Sequence, residues 1–219
     1  MKYFTSRQCM INRAETLKMP DNSISGKIGS AGKWVLNLIV GWLSDHMVHP
    51  NILTLIGFAI NIIAAVLFAK NLLFWAGLVV VFAGIFDMVD GEVARRTGRV
   101  TKFGAFFDSV IDRYSDMVLL LGLVVLYTKL EQSFYVGLAV FAIIGSIMTS
   151  YTRARAESLI PACKVGFLER PERIVLLIIG ALANRMAAVL WVMAILSNWA
   201  VAQRIFYTWQ EGKSIEQQK

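Results

Sequence analysis

Five aspartates are concentrated between residues 87 and 116, although the whole sequence contains only seven. They are Asp87, Asp90, Asp108, Asp112 and Asp116. On a helix, the first two lie three residues apart and the last three lie at steps of four, so each set shares one helix face. Two helices joined by a loop at 96–103 can therefore direct their carboxylates towards each other.

Carboxylates gathered this closely need compensating positive charge, because like charges repel and each buried carboxylate carries a desolvation cost. Oxygen ligands without histidine or cysteine are the set that hard divalent cations prefer, which indicates Mg²⁺, with Mn²⁺ or Ca²⁺ also compatible. Gly91 and Gly104 lie beside the acids and let a ligand come close. A metal centre of this kind suits phosphate or pyrophosphate chemistry.

Two other interpretations remain open from the residues alone. The acids could belong to the ion pathway of a transporter, although transporter sites usually lie near the middle of the membrane. They could also form ion pairs that hold a helix bundle together. Arg95 and Arg113 are the nearest partners for such pairs, and they are too few for five aspartates.

The composition indicates a membrane protein. Hydrophobic residues make up 57% of the 219 residues and charged residues only 17%, which is too apolar for an ordinary soluble domain. The apolar residues recur in helix-length blocks and not in alternating segments of about ten residues. The sequence therefore predicts an all-α polytopic membrane protein and not a β-barrel.

The apolar blocks predict six transmembrane helices preceded by an amphipathic helix at the membrane interface. The interfacial helix is predicted at 34–47, where Trp34 and Trp42 are spaced as anchors. The spans are predicted at 52–69, 72–86, 104–127, 134–150, 168–184 and 186–207, with the last two separated at Asn184–Arg185. This division gives a polar cytoplasmic segment at 1–33, a membrane domain at 34–207 and a cytoplasmic tail at 208–219.

The distribution of cations sets the predicted orientation. With six spans and a cytoplasmic N-terminus, 18 of the 22 lysines and arginines fall on the cytoplasmic side. This asymmetry agrees with the positive-inside rule and predicts that the aspartates face the cytoplasm of a multi-pass cell-membrane protein. It also accounts for the net charge of +7 without a nucleic-acid partner.

The aspartate stretch resembles the signature of the CDP-alcohol phosphatidyltransferase family. The matching pattern is Asp87-x-x-Asp90-Gly91-x-x-Ala94-Arg95, eight residues, then Gly104-x-x-x-Asp108-x-x-x-Asp112, and the sequence does not depart from it. The preceding HPNILTLIG is similar to the Pro-Asn-x-x-Thr stretch that opens the first span in this family. The resemblance covers about residues 30–207 and implies six spans and a homodimer.

The resemblance also implies a role for each signature residue. It implies two Mg²⁺ ions, replaceable by Mn²⁺, on four ligands: Asp87, Asp90, Asp108 and Asp112. Asp112 would also be the catalytic base that takes the proton from the acceptor hydroxyl. The CDP moiety would be bound by Asp90, Gly91, Ala94, Arg95 and Gly104, with Arg95 on the pyrophosphate. Asp116 lies outside the signature, and we expect it to pair with a cation or to support a ligand.

A second polar region concerns the acceptor alcohol. SYTRARAES at 150–158 and VGFLERPERI at 165–174 are similar to stretches of the phosphatidylinositol and archaetidylinositol phosphate synthase branch of the family. That branch implies an acceptor pocket for the phosphate of inositol phosphate, formed here by Arg153, Arg173 and, from the last span, Arg204. An acceptor that carries its own phosphate needs such cations, whereas a neutral alcohol does not.

The expected reaction is therefore transfer of a phosphatidyl or archaetidyl group from a CDP-lipid to L-myo-inositol 1-phosphate, with release of CMP. The same chemistry with glycerol 3-phosphate is the main alternative. A further alternative within the family is an enzyme that joins CDP-inositol to inositol phosphate. From a different class of protein, the alternative is a cation transporter.

Overall fold

A computed structural model describes residues 49–163 and 165–217 of the chain. Within these residues the protein forms six α-helices and no strand. The helices are α1 (Pro50–Ala69), α2 (Leu73–Arg96), α3 (Lys102–Lys129), α4 (Ser133–Glu157), α5 (Arg170–Leu182) and α6 (Met186–Gln217). The predicted all-α class is confirmed, while the predicted interfacial helix at 34–47 lies outside the described residues.

Four of these helices are long and apolar enough to cross a membrane: α1, α2, α4 and the Met186–Ser214 part of α6. Helix α5 has 13 residues, and at about 1.5 Å per residue it is shorter than a hydrocarbon core of about 30 Å. Helix α3 has 28 residues, but its first half carries the aspartates and is not continuously apolar. The structure thus supports four membrane helices by length and composition, where the sequence predicts six.

The helix boundaries follow local signals in the sequence. Pro50 begins α1 as the first helical residue, where a missing N–H costs nothing. Thr101 caps α3 by accepting a hydrogen bond from the Gly104 amide at 2.9 Å. The predicted break between the last two helices is confirmed, because α5 ends at Leu182, Asn184 has a left-handed φ of 53° and α6 begins at Met186. Helix α6 continues past the predicted boundary at 207 to Gln217.

The six helices pack in a closed ring. Helix α1 contacts α2 and α3, α3 contacts α4, α4 contacts α6, and α5 joins α6 to α2. Small residues allow the close approaches: a Cβ on Gly122 of α3 would lie 2.4 Å from the Ala65 carbonyl oxygen of α1. The shared core of buried side chains contains residues such as Phe68, Leu120 and Leu190. The C-terminal half of α2 and the first half of α3 carry the aspartates.

Candidate active site

Three of the five aspartates converge between α2 and α3. Carboxylate oxygens of Asp87, Asp108 and Asp112 all lie within 4.8 Å of one another, and we call these residues the aspartate cluster. The turn between α2 and α3 brings them together by reversing the chain at Gly98, which has a φ of 65°. An oxygen-only group of this size fits a hard divalent cation.

Asp90 is placed differently from the aspartate cluster. Its side chain is only 5% exposed and accepts a hydrogen bond of 2.7 Å from the Thr54 hydroxyl of α1. A step of three residues turns the side chain by about 60° from Asp87 around the helix axis. Asp90 therefore faces α1 and the neighbouring cavity, and it is not among the three carboxylates that approach one another.

A cavity of about 320 Å³ adjoins the cluster on the α1 side, and we call it the signature cavity. It is lined by Pro50, Asn51, Thr54, Asp90, Gly91, Ala94, Arg95, Arg99, Val100, Thr101, Gly104, Ala105 and Asp108. Every residue that the resemblance implies for CDP binding is in this lining. The sequence spacing and the tertiary structure thus assemble these five residues around one space.

Two glycines shape the signature cavity. A Cβ on Gly104 would lie 3.0 Å from the Thr101 hydroxyl oxygen and 3.5 Å from Asn51 Oδ1, so a side chain there would narrow the cavity. A Cβ on Gly91 would meet only the Arg95 guanidinium, at 3.7 Å. The Arg95 side chain is 66% exposed and pairs with Glu92 at 2.7 Å. An exposed pair of this kind contributes little to stability, so the guanidinium can turn towards a ligand at small cost.

A second cavity of about 290 Å³ lies on the other side of the aspartates, and we call it the arginine cavity. It is lined by Ala105, Asp108, Ser109, Asp112, Arg113, Asp116, Ser150, Arg170 and Arg173. Ala105 and Asp108 line both cavities. The aspartate cluster therefore lies at the boundary between two adjoining spaces, one with the signature residues and one with arginines.

Arg173 is buried and hydrogen-bonded at the wall of the arginine cavity. The residue is 2% exposed, and its guanidinium donates to the Leu168 carbonyl oxygen at 2.9 Å and to Asp116 at 2.6 and 3.1 Å. Ser146 donates a further hydrogen bond of 3.3 Å to the same Asp116 oxygen. The expectation that Asp116 pairs with a cation agrees with this geometry.

The other two predicted acceptor arginines lie near Glu169 and are not in the lining of the arginine cavity. Arg153 pairs with Glu157 at 3.2 Å and with Glu169. Arg204 is buried, donates to the carbonyl oxygens of Val165 and Thr149, and lies 3.8 Å from Glu169. Glu169 is also the N-cap of α5, so the three arginines are linked through the first turn of that helix.

Arg170 is the site residue that the sequence reasoning missed. Its guanidinium donates to Asp87 at 2.7 and 3.1 Å and lies 2.9 Å from Asp112 Oδ1. The available signal was its spacing of three residues from Arg173 at the start of one helix, which places both side chains on one face. That spacing does not reveal which acids the face meets.

The sequence profile of the CDP-alcohol phosphatidyltransferase family matches residues 47–209, which is more than half of the chain. The chain belongs to this family. The match contains all six described helices except the end of α6. This phosphatidyltransferase is therefore a membrane-embedded enzyme of the phosphotransferase class.

Relatives of this phosphatidyltransferase cover most of its length. The archaetidylinositol phosphate synthase of Methanothermobacter thermautotrophicus is 35% identical over 188 residues, which is 82% of this chain and 93% of the relative. The crystal structure of Mycobacterium tuberculosis phosphatidylinositol phosphate synthase with CDP-DAG bound is similar at a TM-score of 0.74 and 30% identity. That similarity covers 80% of this chain and 94% of the other. The same Mycobacterium tuberculosis protein in complex with manganese and citrate is similar at a TM-score of 0.73 and 30% identity, over 80% and 88% of the two chains.

Proposed function

We propose that this phosphatidyltransferase transfers the phosphatidyl or archaetidyl group of a CDP-lipid to L-myo-inositol 1-phosphate and releases CMP. The observation that carries the proposal is the pair of cavities that meet at the aspartate cluster. The signature cavity offers a place for the CDP-lipid, and the arginine cavity offers cations to an acceptor that carries a phosphate. The names of the relatives, archaetidylinositol and phosphatidylinositol phosphate synthase, agree with this assignment.

In the proposed reaction, Asp112 is the base. Its carboxylate takes the proton of the acceptor hydroxyl, whose oxygen forms a new bond to the lipid-linked phosphorus of the CDP-lipid. The bond from that phosphorus to the CMP oxygen breaks, and CMP leaves with the electron pair. Asp112 lines the arginine cavity and belongs to the cluster at its boundary, which supports its role as the base.

The residues present fit a divalent cation centre. The cluster supplies three carboxylates, and Asp112 Oδ1 is a buried oxygen that makes no hydrogen bond of regular geometry within the described part of the chain. We propose two Mg²⁺ ions, replaceable by Mn²⁺, with Asp90 completing the ligand set of Asp87, Asp108 and Asp112. Such ions stabilise charge on phosphate oxygens when bound. The manganese complex of the Mycobacterium tuberculosis relative supports a divalent ion.

The lining of the two cavities supports most of the proposed binding roles. On the donor side, Asp90, Gly91, Ala94 and Gly104 enclose the nucleotide, and Arg95 turns from Glu92 to the pyrophosphate. On the acceptor side, Arg173 binds the phosphate of inositol phosphate. Arg153 of α4 and Arg204 of α6, which both lie near Glu169 at the start of α5, assist it. A guanidinium is suited to this because it binds phosphate oxygens as a planar fork.

The arrangement in the membrane is also a proposal. We propose that α3 and α5 cross together with the four long apolar helices, because both pack between neighbours that do so. Residues 34–47 would form the interfacial helix at the start of a membrane domain ending at 207, with 1–33 and 208–219 in the cytoplasm. The excess of cations at the aspartate end supports an active site at the cytoplasmic face of the cell membrane. A homodimer is proposed from the family alone.

The test is an acceptor panel with the purified protein in lipid. CMP release is measured with Mg²⁺ and CDP-diacylglycerol, or its archaeal ether counterpart, together with inositol 1-phosphate, glycerol 3-phosphate or unphosphorylated inositol. We expect release with inositol 1-phosphate at least about tenfold faster than with either other acceptor. Faster release with glycerol 3-phosphate would overturn the assignment of the acceptor. Release from CDP-inositol and not from the CDP-lipids would overturn the assignment of the donor.

A further inference from the structure

Arg170 lies inside the group of aspartates and not beside it. Its Nη1 and Nη2 atoms donate to the two oxygens of Asp87 at 2.7 and 3.1 Å. Nη2 also lies 2.9 Å from Asp112 Oδ1, and Nε lies 3.9 Å from Asp116 Oδ1. One guanidinium from α5 therefore pairs with two of the three carboxylates that could hold a metal ion.

The electrostatics of the cluster favour a cation at this place. Carboxylates whose oxygens approach within 4.8 Å repel one another strongly when solvent is partly excluded. The Arg170 side chain is 24% exposed and that of Asp112 only 16%, so the pair is screened less than a surface ion pair. Arg170 thus supplies the charge that a divalent cation would otherwise supply to the same oxygens.

The hydrogen bonding of the Arg170 guanidinium in this position is incomplete. Its buried Nε atom forms no hydrogen bond with any described residue, and the contact to Asp112 Oδ1 lacks regular hydrogen-bond geometry. Arg170 is also the first residue of α5, where the positive end of the helix dipole disfavours a cation. The side chain is therefore held mainly by the aspartates, and little else opposes its withdrawal once another cation neutralises them.

The backbone of α5 is anchored independently of Arg170. Glu169 and Glu172 form a capping box at the helix start, and Pro171 occupies the first turn. Arg173 is tied to Asp116 one turn along. The Arg170 side chain can consequently leave the aspartates while the helix that carries it stays in place.

We propose that Arg170 is an internal counter-ion that occupies the aspartate cluster in the metal-free enzyme and competes with the divalent cation for Asp87 and Asp112. The cation affinity is then set by this competition and not by the carboxylates alone. This inference rests on the metal centre of the proposed function. It assigns a role to Arg170 as a positioning residue that acts through the carboxylates.

The experiment measures Mn²⁺ and Mg²⁺ binding to the full-length protein by isothermal titration calorimetry, without substrates. We expect Arg170→Gln to bind the cation about tenfold more tightly than the unchanged protein, because one competing charge-assisted pair is lost. The matched control is Arg155→Gln, which removes an exposed arginine on α4 that donates a hydrogen bond of 3.3 Å to the Ser158 hydroxyl and makes no contact with the aspartate cluster among the described residues. The control should bind within about twofold of the unchanged protein, since its charge acts only through solvent.

Thermal unfolding provides a second measurement. With a chelator, Arg170→Gln should unfold at a lower temperature than the unchanged protein, and saturating Mg²⁺ should narrow the difference because tighter binding stabilises the folded state more. If Arg170→Gln does not fold, Arg170→Lys is measured instead. Lysine keeps the positive charge but cannot pair with Asp87 and Asp112 through a planar guanidinium, so this variant should also bind the cation more tightly than the unchanged protein. Equal or weaker cation binding by the folded variant would overturn the proposal. Absence of cation binding by the unchanged protein would instead overturn the metal centre of the proposed function.

Discussion

Arg173 and Asp116 form a buried ion pair that joins the start of α5 to the middle of α3. The Nη2 and Nε atoms of Arg173 both donate hydrogen bonds to Asp116 Oδ2, at 2.6 and 3.1 Å. The two residues are 2% and 4% exposed. Because the guanidinium lines the arginine cavity, Asp116 determines where that positive charge is presented.

This relationship makes Asp116 a positioning residue for the acceptor. Asp116→Asn keeps an acceptor oxygen but removes the charge that fixes Arg173, so we expect the KM for inositol 1-phosphate to rise about tenfold or more. The KM for the CDP-lipid should change less than about threefold, because the signature cavity does not contain Asp116. Steady-state kinetics with each substrate varied in turn measures both values.

The control for this prediction is Ser146→Ala. It removes only the hydrogen bond of 3.3 Å to Asp116 and leaves the pair with Arg173 intact. Its acceptor KM should stay within about threefold of the unchanged value. Similar increases in both KM values for Asp116→Asn would show that the pair is a general structural element and contradict the prediction.

Asp112 is expected to carry the proton transfer. Asp112→Asn should lower kcat by about 10²–10⁴-fold, the usual contribution of a positioned base. The measurement is CMP release at saturating substrates and Mg²⁺, with folding checked by thermal unfolding. Asp45→Asn, which removes a carboxylate outside the aspartate stretch, is the control and should retain activity. An Asp112→Asn variant with unchanged kcat would mean that another group is the base.

The signature cavity can be filled at Gly91 without disturbing the helix bundle. A Cβ there meets only the Arg95 guanidinium at 3.7 Å, so Gly91→Leu should fold normally and raise the KM for the CDP-lipid by about tenfold or more. Gly84→Leu is the matched control, because it lies on the same helix and a Cβ there meets nothing within 4 Å. Equal KM values for the two variants would show that the CDP-lipid does not enter this cavity.

The close approach of α1 and α3 depends on Gly122. A Cβ at this position would lie 2.4 Å from the Ala65 carbonyl oxygen and 2.9 Å from its Cα, so the helix backbones would have to separate. We expect Gly122→Ala to destabilise the protein by about 1–3 kcal/mol, as overpacking usually does. Thermal unfolding in detergent compares it with Gly137→Ala, where a Cβ on α4 meets nothing within 4 Å. An unchanged Tm for Gly122→Ala would contradict this packing.

Much of the helical framework could be predicted because its signals are local. The run of apolar residues, Pro50 at the start of α1 and Asn184 at the end of α5 are read from neighbouring positions. The steps of four between Asp108, Asp112 and Asp116 place them on one face of any helix. The predicted span 168–184 is longer than α5, which begins at Arg170 and ends at Leu182. Pro171 is typical of a helix start, but apolar composition does not mark where the helix ends.

Electrostatic partners were the part that local signals could not supply. Arg170 and Asp87 are 83 positions apart, and Arg173 and Asp116 are 57 apart. Any aspartate could pair with any arginine as far as composition is concerned. The packing of the helices decides the partners, because it brings α5 against α2 and Arg173 of α5 within hydrogen-bond distance of Asp116 on α3.

The sequence by itself determined that this protein is a helical membrane enzyme of the CDP-alcohol phosphatidyltransferase family, with its carboxylates on two facing helix surfaces. Helical periodicity and a fixed motif are sufficient for that, since both act over a few turns. The tertiary structure alone decided that Asp90 turns to Thr54, that Arg170 enters the aspartate cluster, and that Asp116 holds Arg173. Pairing of buried charges depends on which distant helices pack together, because each charge must find its counter-charge where the solvent is excluded.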